Sequence, residues 1–254
     1  MPPITSYAER FQSDDQVASY ELKEYAAGSY ASAIWDLQRP VVEQILRDTR
    51  RKHSGPLRLL DFACGTGRVL TALEPLVTSA MGVDISARMA GVARTKSRSA
   101  EVRVGDILTQ PELLPGHKFE VISCFRFLLN AEPDLRLRVL RRLREVLSEP
   151  DGRLLVNVHG NARSLRHPAI VWKRWRKAPA VADEMLNEMS PGAMGELLRA
   201  AGFKIERHFG FGMVPPTFYR TPLGGLARVV DGSLAGENWL SQLSVDRLFV
   251  CSPG

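Results

Sequence analysis

Short apolar segments alternate with helical patterns through the middle of the chain, and this alternation restricts the possible folds more than any other feature. Helices are predicted at about 67–77, 86–97 and 133–148, between strands predicted at Arg58–Ala63, Ala80–Asp84, Val102–Val104, Phe119–Cys124 and Arg153–His159. Strands and helices that alternate in this way form a parallel sheet with helices on both faces. The sequence therefore predicts an α/β fold.

Both flanks of this region carry patterns of their own. Residues 14–52 are predicted to be helical, with a kink or a break at Pro40, where the i to i−4 hydrogen bond is lost. After the fifth strand comes a basic, aromatic stretch over 163–177, followed by a helix from Ser190-Pro191 to Gly202. Two further strands are predicted at the end of the chain, at Lys204–Phe209 and Arg247–Cys251.

Composition bounds the class of protein. Charged residues make up 24% and hydrophobic residues 44%, as in ordinary soluble domains, and the net charge of +6 is spread along the chain. Three cysteines without a CxxC pair argue against a disulfide framework and against a zinc site. No apolar run approaches the roughly 18–20 residues that span a bilayer, and the polar start lacks a secretory signal pattern. We therefore expect a cytoplasmic protein without a metal site or a membrane segment.

A glycine-rich turn follows the first predicted strand, in the run LLDFACGTGR over residues 59–68. Gly65 and Gly67 carry no Cβ, so a ligand can approach the backbone closely there. Asp84 ends the next predicted strand about 20 residues later, where an acid can accept hydrogen bonds from ribose hydroxyls. A nucleoside-bearing cofactor is therefore expected at the carboxyl ends of the first two strands.

Two observations narrow the choice of cofactor. Leu70 stands where the dinucleotide fingerprint requires its third glycine, which disfavours a nicotinamide oxidoreductase. Two further acids lie at strand ends, Asp61 in the first strand and Asp106 just past the third. The spacing of these acids and glycines over residues 57–160 resembles the class I (Rossmann-like) S-adenosylmethionine-dependent methyltransferases.

The resemblance implies a Rossmann-like, seven-stranded, mostly parallel sheet whose last strand is antiparallel, with S-adenosylmethionine as the cofactor. It implies that Asp84 binds both ribose hydroxyls and that Asp106 binds the adenine amino group. The other cofactor-binding residues that it implies are Asp61, Cys64, Gly65, Gly67, Ile85, Met89, Ile107, Cys124 and Phe125. We expect one domain over 1–254, with a helical N-terminal cover (1–54), a cofactor-binding core (55–160), and a substrate-side insertion after the fifth strand with the last two strands (161–254).

Residues outside the common core are expected to recognise the substrate. In the cover, Tyr30 and Trp35 could close over the methionine end of the cofactor or pack the helix onto the core. Cations and aromatics around Trp172 could bind a phosphate or carboxylate, contact nucleic acid, or lie on an exposed helix. The remaining substrate candidates are Asn130, which could instead cap the next helix, and Tyr219 and Arg220, which are expected in a loop.

The candidate general base is His159, at the end of the fifth strand, where open α/β sheets bind their ligands, although a structural role is an alternative. We predict methyl transfer to oxygen or nitrogen of a small polar molecule, which could be anionic, by a monomer or homodimer. The alternatives are an RNA methyltransferase and a non-catalytic S-adenosylmethionine-binding partner. Ser123-Cys124-Phe125-Arg126 replaces the Asp/Asn-Pro-Pro-aromatic run of enzymes that act on base amines, so that chemistry is not expected.

Overall fold

The computed structural model describes residues 7, 29–114, 116, 118–175, 188–219, 221–237 and 239–254. Its described residues form one seven-stranded sheet, with strands β1 (Arg58–Phe62), β2 (Ser79–Asp84), β3 (Glu101–Val104), β4 (Val121–Phe125), β5 (Arg153–Val158), β6 (Phe203–Phe211) and β7 (Asp246–Pro253). The strand order is β3-β2-β1-β4-β5-β7-β6, and β7 is antiparallel to both of its neighbours. The predicted seven-stranded, mostly parallel sheet is confirmed.

Helices cover both faces of this sheet. The described residues form eight, namely α1 (Tyr30–Lys52), α2 (Arg68–Leu73), α3 (Ala87–Lys96), α4 (Pro133–Val146), α5 (His167–Trp175), α6 (Pro191–Ala200), α7 (Pro216–Tyr219) and α8 (Gly224–Leu234). Apolar side chains of α1, α2 and α3 form one buried cluster with the sheet. Side chains of α4 and α6 form a second buried cluster on the opposite face. The sheet is therefore buried on both sides, which leaves its carboxyl edge for ligands.

Helix α1 begins where the Ser29 hydroxyl accepts a hydrogen bond from the backbone N–H of Ser32. It runs through Pro40 without a break, so the alternative of two separate helices is wrong. Pro40 and Asp36, whose carbonyl cannot receive the missing hydrogen bond, are both exposed, so water can satisfy that carbonyl. The part of the predicted helix over 14–28 lies outside the described residues.

Leu70 also explains how the first helix packs without the third glycine of the dinucleotide fingerprint. Its side chain lies over Gly82 in β2, where an added Cβ would come within 2.7 Å of Leu70 Cδ2 and 3.0 Å of Cys64 Sγ. The glycine that permits close packing of helix and strand is therefore on the strand. A short 3-10 turn over Glu74–Leu76 then leads into β2.

The segment between the last two strands is rich in proline and glycine, yet it forms regular secondary structure. It contains α7, α8 and a 3-10 turn over Trp239–Leu243. Helix α8 packs its buried residues, among them Ala227, against Ala33 of α1. Among the helices that the structure describes, none is both long enough and apolar enough to cross a membrane.

Candidate cofactor and acceptor site

The loop that joins β1 to α2 turns sharply through left-handed backbone conformations. Ala63, Gly65 and Gly67 have φ angles of 53°, 55° and 80°. A Cβ on Gly67 would lie 2.9 Å from the Cβ of Ala93 in α3, so only glycine fits at this position. This close approach fixes the first turn of α2 against α3 and leaves the loop backbone facing the carboxyl edge of the sheet.

The carboxylate of Asp84, at the end of β2, joins this loop to the neighbouring strand. One oxygen accepts a hydrogen bond from the backbone N–H of Gly65 at 2.7 Å, and the other accepts from Ser86 at 2.8 Å. Burial raises the pKa of this carboxyl group, and the two backbone hydrogen bonds oppose that rise. Each oxygen keeps lone-pair capacity for a further donor, such as a ribose hydroxyl.

Beside Asp84 lies a mostly apolar cavity of about 140 Å³. Its walls combine residues that follow β1, β2 and β3 with residues of the turn after β4 and of α4. They are Tyr7, Phe62, Ala63, Val83, Asp84, Ile85, Gly105, Asp106, Ile107, Phe127, Glu132, Leu135 and Val139. Mostly apolar walls with the carboxylates of Asp84, Asp106 and Glu132 suit a flat heteroaromatic ring attached to a sugar.

A smaller cavity of about 20 Å³ lies at the other end of the loop, lined by Asp61, Ala63, Cys64, Thr66, Arg68, Val69, Phe125 and Arg126. Trp35 of α1 closes over this end: its ring stands edge-on to Phe125, with centroids 5.8 Å apart. The Arg68 guanidinium lies 5.2 Å from the centre of the same indole ring. Helix α1 therefore packs directly against the end of β4.

Asp61 is a buried carboxyl group beside this smaller cavity. Its Oδ1 accepts a hydrogen bond from the Ser123 hydroxyl at 2.7 Å. Its Oδ2 is buried and makes no hydrogen bond of normal geometry among the residues that the structure describes, although the backbone N–H of Leu70 lies close enough to the carboxyl group to lower its pKa. Burial raises the pKa of this carboxyl group to about 7. A donor that reaches Oδ2 would remove the cost of leaving a buried acceptor unpaired.

His159 directly follows β5 at the carboxyl edge. Its Nδ1 is buried and has no hydrogen-bond partner within the described part of the chain. Burial, with a smaller contribution from the positive charge of Arg126, lowers the pKa of this imidazole well below 6.5. His159 is therefore neutral near pH 7 and has a nitrogen available to accept a proton.

Asp246, at the start of β7, lies on the face of the sheet that α1 covers. Two side-chain amides donate to its Oδ1, that of Asn157 at 3.2 Å and that of Gln38 at 3.4 Å. Burial raises the pKa of this carboxyl group, while the charges of Arg126 and Arg166 oppose the rise. Since Arg126 also influences His159 and lines the smaller cavity, these groups border one region beside that cavity.

Comparison with known proteins identifies this arrangement. A family model described as a methyltransferase domain matches residues 35–208, which is more than half of the chain. The chain belongs to the methyltransferase-domain family. The predicted relationship to class I S-adenosylmethionine-dependent methyltransferases is thereby confirmed, and S-adenosylmethionine is the cofactor of that family.

Individual relatives agree with this identification. A curated protein of Geobacillus sp. (strain WCH70), named as a methyltransferase, is 30% identical over 131 residues, and the match covers 50% of this chain and 51% of that protein. The chain therefore spans about half the length of this relative. Magnesium protoporphyrin IX methyltransferase from Synechocystis PCC 6803, solved with bound S-adenosylmethionine, is 14% identical over 100% of both chains, with a TM-score of 0.58. The plantazolicin methyltransferase is 14% identical over 97% of this chain and 96% of its own, with a TM-score of 0.59.

Seven of the thirteen predicted cofactor residues line the two cavities, and six line neither of them. The seven are Asp61, Cys64, Asp84, Ile85, Asp106, Ile107 and Phe125, and the six are Tyr30, Trp35, Gly65, Gly67, Met89 and Cys124. The thiol of Cys124 is fully buried in the apolar core, where burial raises its pKa. Met89 is buried near the start of α3, whereas its alternative Ile85 lines the larger cavity. The predicted role of Cys124 would therefore have to be carried by its backbone.

Tyr7 is a residue of the site that sequence reasoning missed. It lines the larger cavity, its ring stands edge-on to Phe127 with centroids 5.0 Å apart, and its backbone N–H donates to Glu132. No local pattern marks it, because it lies in a polar segment about 50 residues before the first strand. The same holds for Gln38 and Asp246, which meet across 208 positions of the chain.

Of the four predicted substrate residues, the structure describes three, which lie in different surroundings. The Asn130 amide donates to the Arg126 carbonyl at 2.5 Å, and since α4 has Glu132 at its N-cap, the alternative that Asn130 caps this helix is wrong. Trp172 lies in α5 with 55% of its surface exposed. Arg220 lies outside the described residues.

Tyr219 belongs to helix α7, so the expectation that it lies in a loop is wrong. It is buried, its ring packs edge-on against Tyr30 with centroids 5.5 Å apart, and its hydroxyl donates to Asp231. The Tyr30 hydroxyl in turn accepts a hydrogen bond from Arg166 at 2.7 Å. These contacts hold α1, α7 and α8 together near Asp246.

Proposed function

We propose that this protein transfers the methyl group of S-adenosylmethionine to an oxygen or nitrogen atom of a small polar molecule. The observation that carries the proposal is the position of His159. This neutral imidazole, whose Nδ1 has no hydrogen-bond partner among the described residues, follows β5 and has Arg126 as a neighbour, which also lines the smaller cavity. A proton acceptor at this place suits a reaction in which a nucleophile loses a proton as it gains a methyl group.

The residues around both cavities fit the cofactor. Asp84 would hold the ribose hydroxyls, Asp106 the adenine amino group, and Asp61 Oδ2 would receive a donor at the methionine end. When bound, S-adenosylmethionine supplies a sulfonium-activated methyl group. The chain itself then has to hold the acceptor atom in line with the carbon–sulfur bond, where orientation contributes up to about 7–11 kcal/mol.

Proton transfer is the second contribution of the chain. His159 Nδ1 would accept the proton of the acceptor group, and Arg126 beside it disfavours the charged imidazole before substrate binds. Asp246 has one oxygen held by Gln38 and Asn157, so the amides fix the orientation of the carboxylate. We propose that its other oxygen orients a hydroxyl or amine of the acceptor.

A small substrate is favoured because α1 covers the region around His159, Asp246 and Arg126, which we call the acceptor region. Trp35 lies over the end of β4, and Tyr30 is fixed by Arg166 and packed against Tyr219, so the wall above Asp246 is made of buried side chains. Enclosed pockets of this kind suit small molecules better than an open groove would. The division into cover, core and substrate-side segment rests on the same reasoning.

The three cysteines are free and buried, which suits a reducing compartment, and we propose that the protein is cytoplasmic and acts as a monomer or homodimer.

The experiment that tests the proposed function is calorimetric titration with S-adenosylhomocysteine, with the oxidised nicotinamide dinucleotides titrated in parallel. We expect binding of S-adenosylhomocysteine with a dissociation constant on the order of micromolar and none of the dinucleotides. Methyl transfer is then measured by mass spectrometry against a panel of small hydroxy and amino acids. Binding of a dinucleotide alone would contradict the cofactor assignment, and binding without any methylated product would favour the non-catalytic alternative.

A further inference from the structure

Arg247, the second residue of β7, is a buried cation that has no counterion among the residues that the structure describes. Only 4% of its surface is exposed, and its Nε and Nη1 atoms are buried without any hydrogen-bond acceptor among the described residues. No carboxylate of the described part of the chain influences the pKa of this guanidinium, which lies 4.6 Å from the centre of the Phe249 ring. Burial lowers the pKa of Arg247 to about 10, which leaves the side chain charged at neutral pH.

The position of Arg247 is at the carboxyl edge of the sheet, where ligands bind. It pairs with Val158, the last residue of β5, and with Gly210 of β6. It points to the face of the sheet opposite Asp246, because neighbouring residues of a strand alternate between faces. His159 directly follows Val158, so Arg247 lies beside the proposed acceptor region. Its side chain does not join the hydrogen bonds that Gln38 and Asn157 make with Asp246.

A polar loop packs against the segment that leads into the strand of Arg247. The backbone N–H of Leu165 donates to the carbonyl of Leu243 at 3.0 Å, and the Asn161 amide donates to the carbonyl of Ser244 at 2.8 Å. These bonds hold the loop over 160–166 against the segment that leads into β7. In that loop the Ser164 hydroxyl is also buried and has no hydrogen-bond partner among the described residues. Unpaired donors therefore come from two segments that meet at the start of β7.

Arg207 on the neighbouring strand shows what a structural arginine of this sheet looks like. Its guanidinium also stacks on a phenylalanine two residues further along, 4.9 Å from the centre of the Phe209 ring. Arg207, however, donates to Glu237 at 2.6 Å and remains half-exposed. The stacking is the same in both arginines, so it does not explain why Arg247 is buried and unpaired. A buried cation without a partner is strongly unfavourable unless something supplies the missing acceptor.

We propose that Arg247 binds an anionic oxygen group, a carboxylate or a phosphate, of the methyl acceptor, with Ser164 as a second donor. The substrate part of this inference rests on the proposed function, whereas the anion site itself does not. Arginine suits such groups because its planar guanidinium presents several N–H donors at once. The inference names the substrate class: a small molecule with a hydroxyl or amine for the methyl group and an acidic group at a fixed distance from it.

The test compares melting temperatures of wild type, Arg247→Met and Arg207→Met in chloride, in succinate and in phosphate at equal ionic strength. We expect succinate or phosphate at a concentration on the order of 10 mM to raise the melting temperatures of wild type and of Arg207→Met. The rise in these two proteins should exceed the rise in Arg247→Met by about 2 °C or more. The comparison between variants removes the general stabilisation that phosphate gives to every folded protein. Equal shifts in all three proteins would overturn the proposal.

A second readout separates this inference from the proposed function. In chloride, Arg247→Met should have a melting temperature no lower than that of wild type, since the substitution removes an unpaired buried charge. The proposal would be overturned if Arg247→Met melted more than about 5 °C lower and Arg247→Gln still responded to anions, because the arginine would then have a structural role. Titration with S-adenosylhomocysteine should give the same affinity in Arg247→Met as in wild type. If wild type binds no S-adenosylhomocysteine but shows the Arg247-dependent anion shift, the proposed function fails and the anion site stands.

Discussion

The cofactor side of the sheet, β1 to β3, and the acceptor side, β5 to β7, are built in different ways. On the cofactor side, backbone N–H groups of the loops at the strand ends hold the carboxylates: Asp84 accepts from Gly65 and Ser86, and Asp106 accepts from Leu108 at 2.9 Å. On the acceptor side, contacts join distant segments, as where Tyr30 of α1 meets Arg166.

A second difference concerns groups left without partners. Asp84 and Asp106 have hydrogen bonds on the cofactor side, whereas His159 Nδ1 and two nitrogens of Arg247 are buried and unpaired within the described part of the acceptor side. Preorganised groups that lack partners are expensive, so they are expected where a ligand completes them. Apart from Asp61, the carboxylates of the cofactor side are therefore held by the protein before a ligand binds, whereas we expect the substrate to complete the acceptor side.

The largest effect is expected from His159→Ala. Loss of a general base should lower the turnover number about 10²- to 10⁴-fold, while the affinity for S-adenosylhomocysteine changes less than about twofold. Burial keeps the pKa of His159 well below 6.5, so the imidazole stays in its basic form and its contribution should not fall between about pH 6.5 and pH 8. Rates are measured with the first acceptor found. Equal turnover in variant and wild type would remove His159 from the mechanism.

Asp84→Ala tests the cofactor side of the comparison. We expect the affinity for S-adenosylhomocysteine to fall about 10- to 100-fold, because charge-assisted hydrogen bonds to the ribose are lost. The backbone N–H groups of Gly65 and Ser86 also lose their acceptor. Calorimetric titration measures the change, and Glu206→Gln, at an exposed end of the sheet away from both cavities, is the control. Wild-type affinity in Asp84→Ala would contradict the assignment of the ribose site.

The contrast between the two sides also explains what the sequence could predict. All seven strands are predicted within about two residues of their ends, because buried strands read as apolar runs and glycines mark several of the turns between them. The glycines and acids of the cofactor side are recognisable for the same reason, since Gly65, Gly67 and Asp84 lie at strand ends. Local chemistry is enough to mark such a site.

The acceptor side gives no comparable signal. Gln38, Asp246 and Arg247 are ordinary polar residues in a helix and at a strand start, and only the fold brings the first two within hydrogen-bond distance. Tyr219 was expected in a loop because prolines precede it, yet its ring is buried against Tyr30. Sequence periodicity can show that α1 is amphipathic but not which polar side chains it covers.

Gly67→Ala tests whether the backbone of the cofactor side is as strictly determined as the comparison implies. The substitution forces a side chain into a left-handed conformation and places its Cβ 2.9 Å from that of Ala93, so we expect a loss of about 1–3 kcal/mol in the free energy of unfolding. Gly91→Ala, inside α3 with open space around it, is the matched control and should gain about 0.5–1 kcal/mol. Urea unfolding measures both, and a neutral Gly67→Ala would show that the loop can relax.

Asp61 lies where the two sides meet, and it combines their properties. Ser123 donates to one oxygen, and the other is buried and makes no hydrogen bond of normal geometry among the described residues. Its pKa of about 7 means that the carboxyl group loses its charge as the pH falls from 8 to 6. The ionised form attracts the cationic amino group of the methionine part, so the affinity for S-adenosylhomocysteine should fall several-fold, about half to one order of magnitude, over this range.

Asp61→Asn removes the titration while keeping the shape of the side chain, so its affinity should be weaker at pH 8 and nearly independent of pH. Titrations of wild type and variant at several pH values between about 6 and 8 measure the difference in slope. Ser123→Ala is the control for the hydrogen bond at Oδ1. Loss of that donor should raise the pKa of Asp61 further, so the affinity of this variant should fall at a higher pH than the affinity of wild type. If the affinity of Asp61→Asn changed with pH as much as the affinity of wild type, Asp61 would not bind the ligand through its charge. It would then belong with Asp84 and Asp106, whose hydrogen bonds are made within the protein, because the affinity for a ligand that pairs with a carboxylate has to change when that carboxylate is protonated.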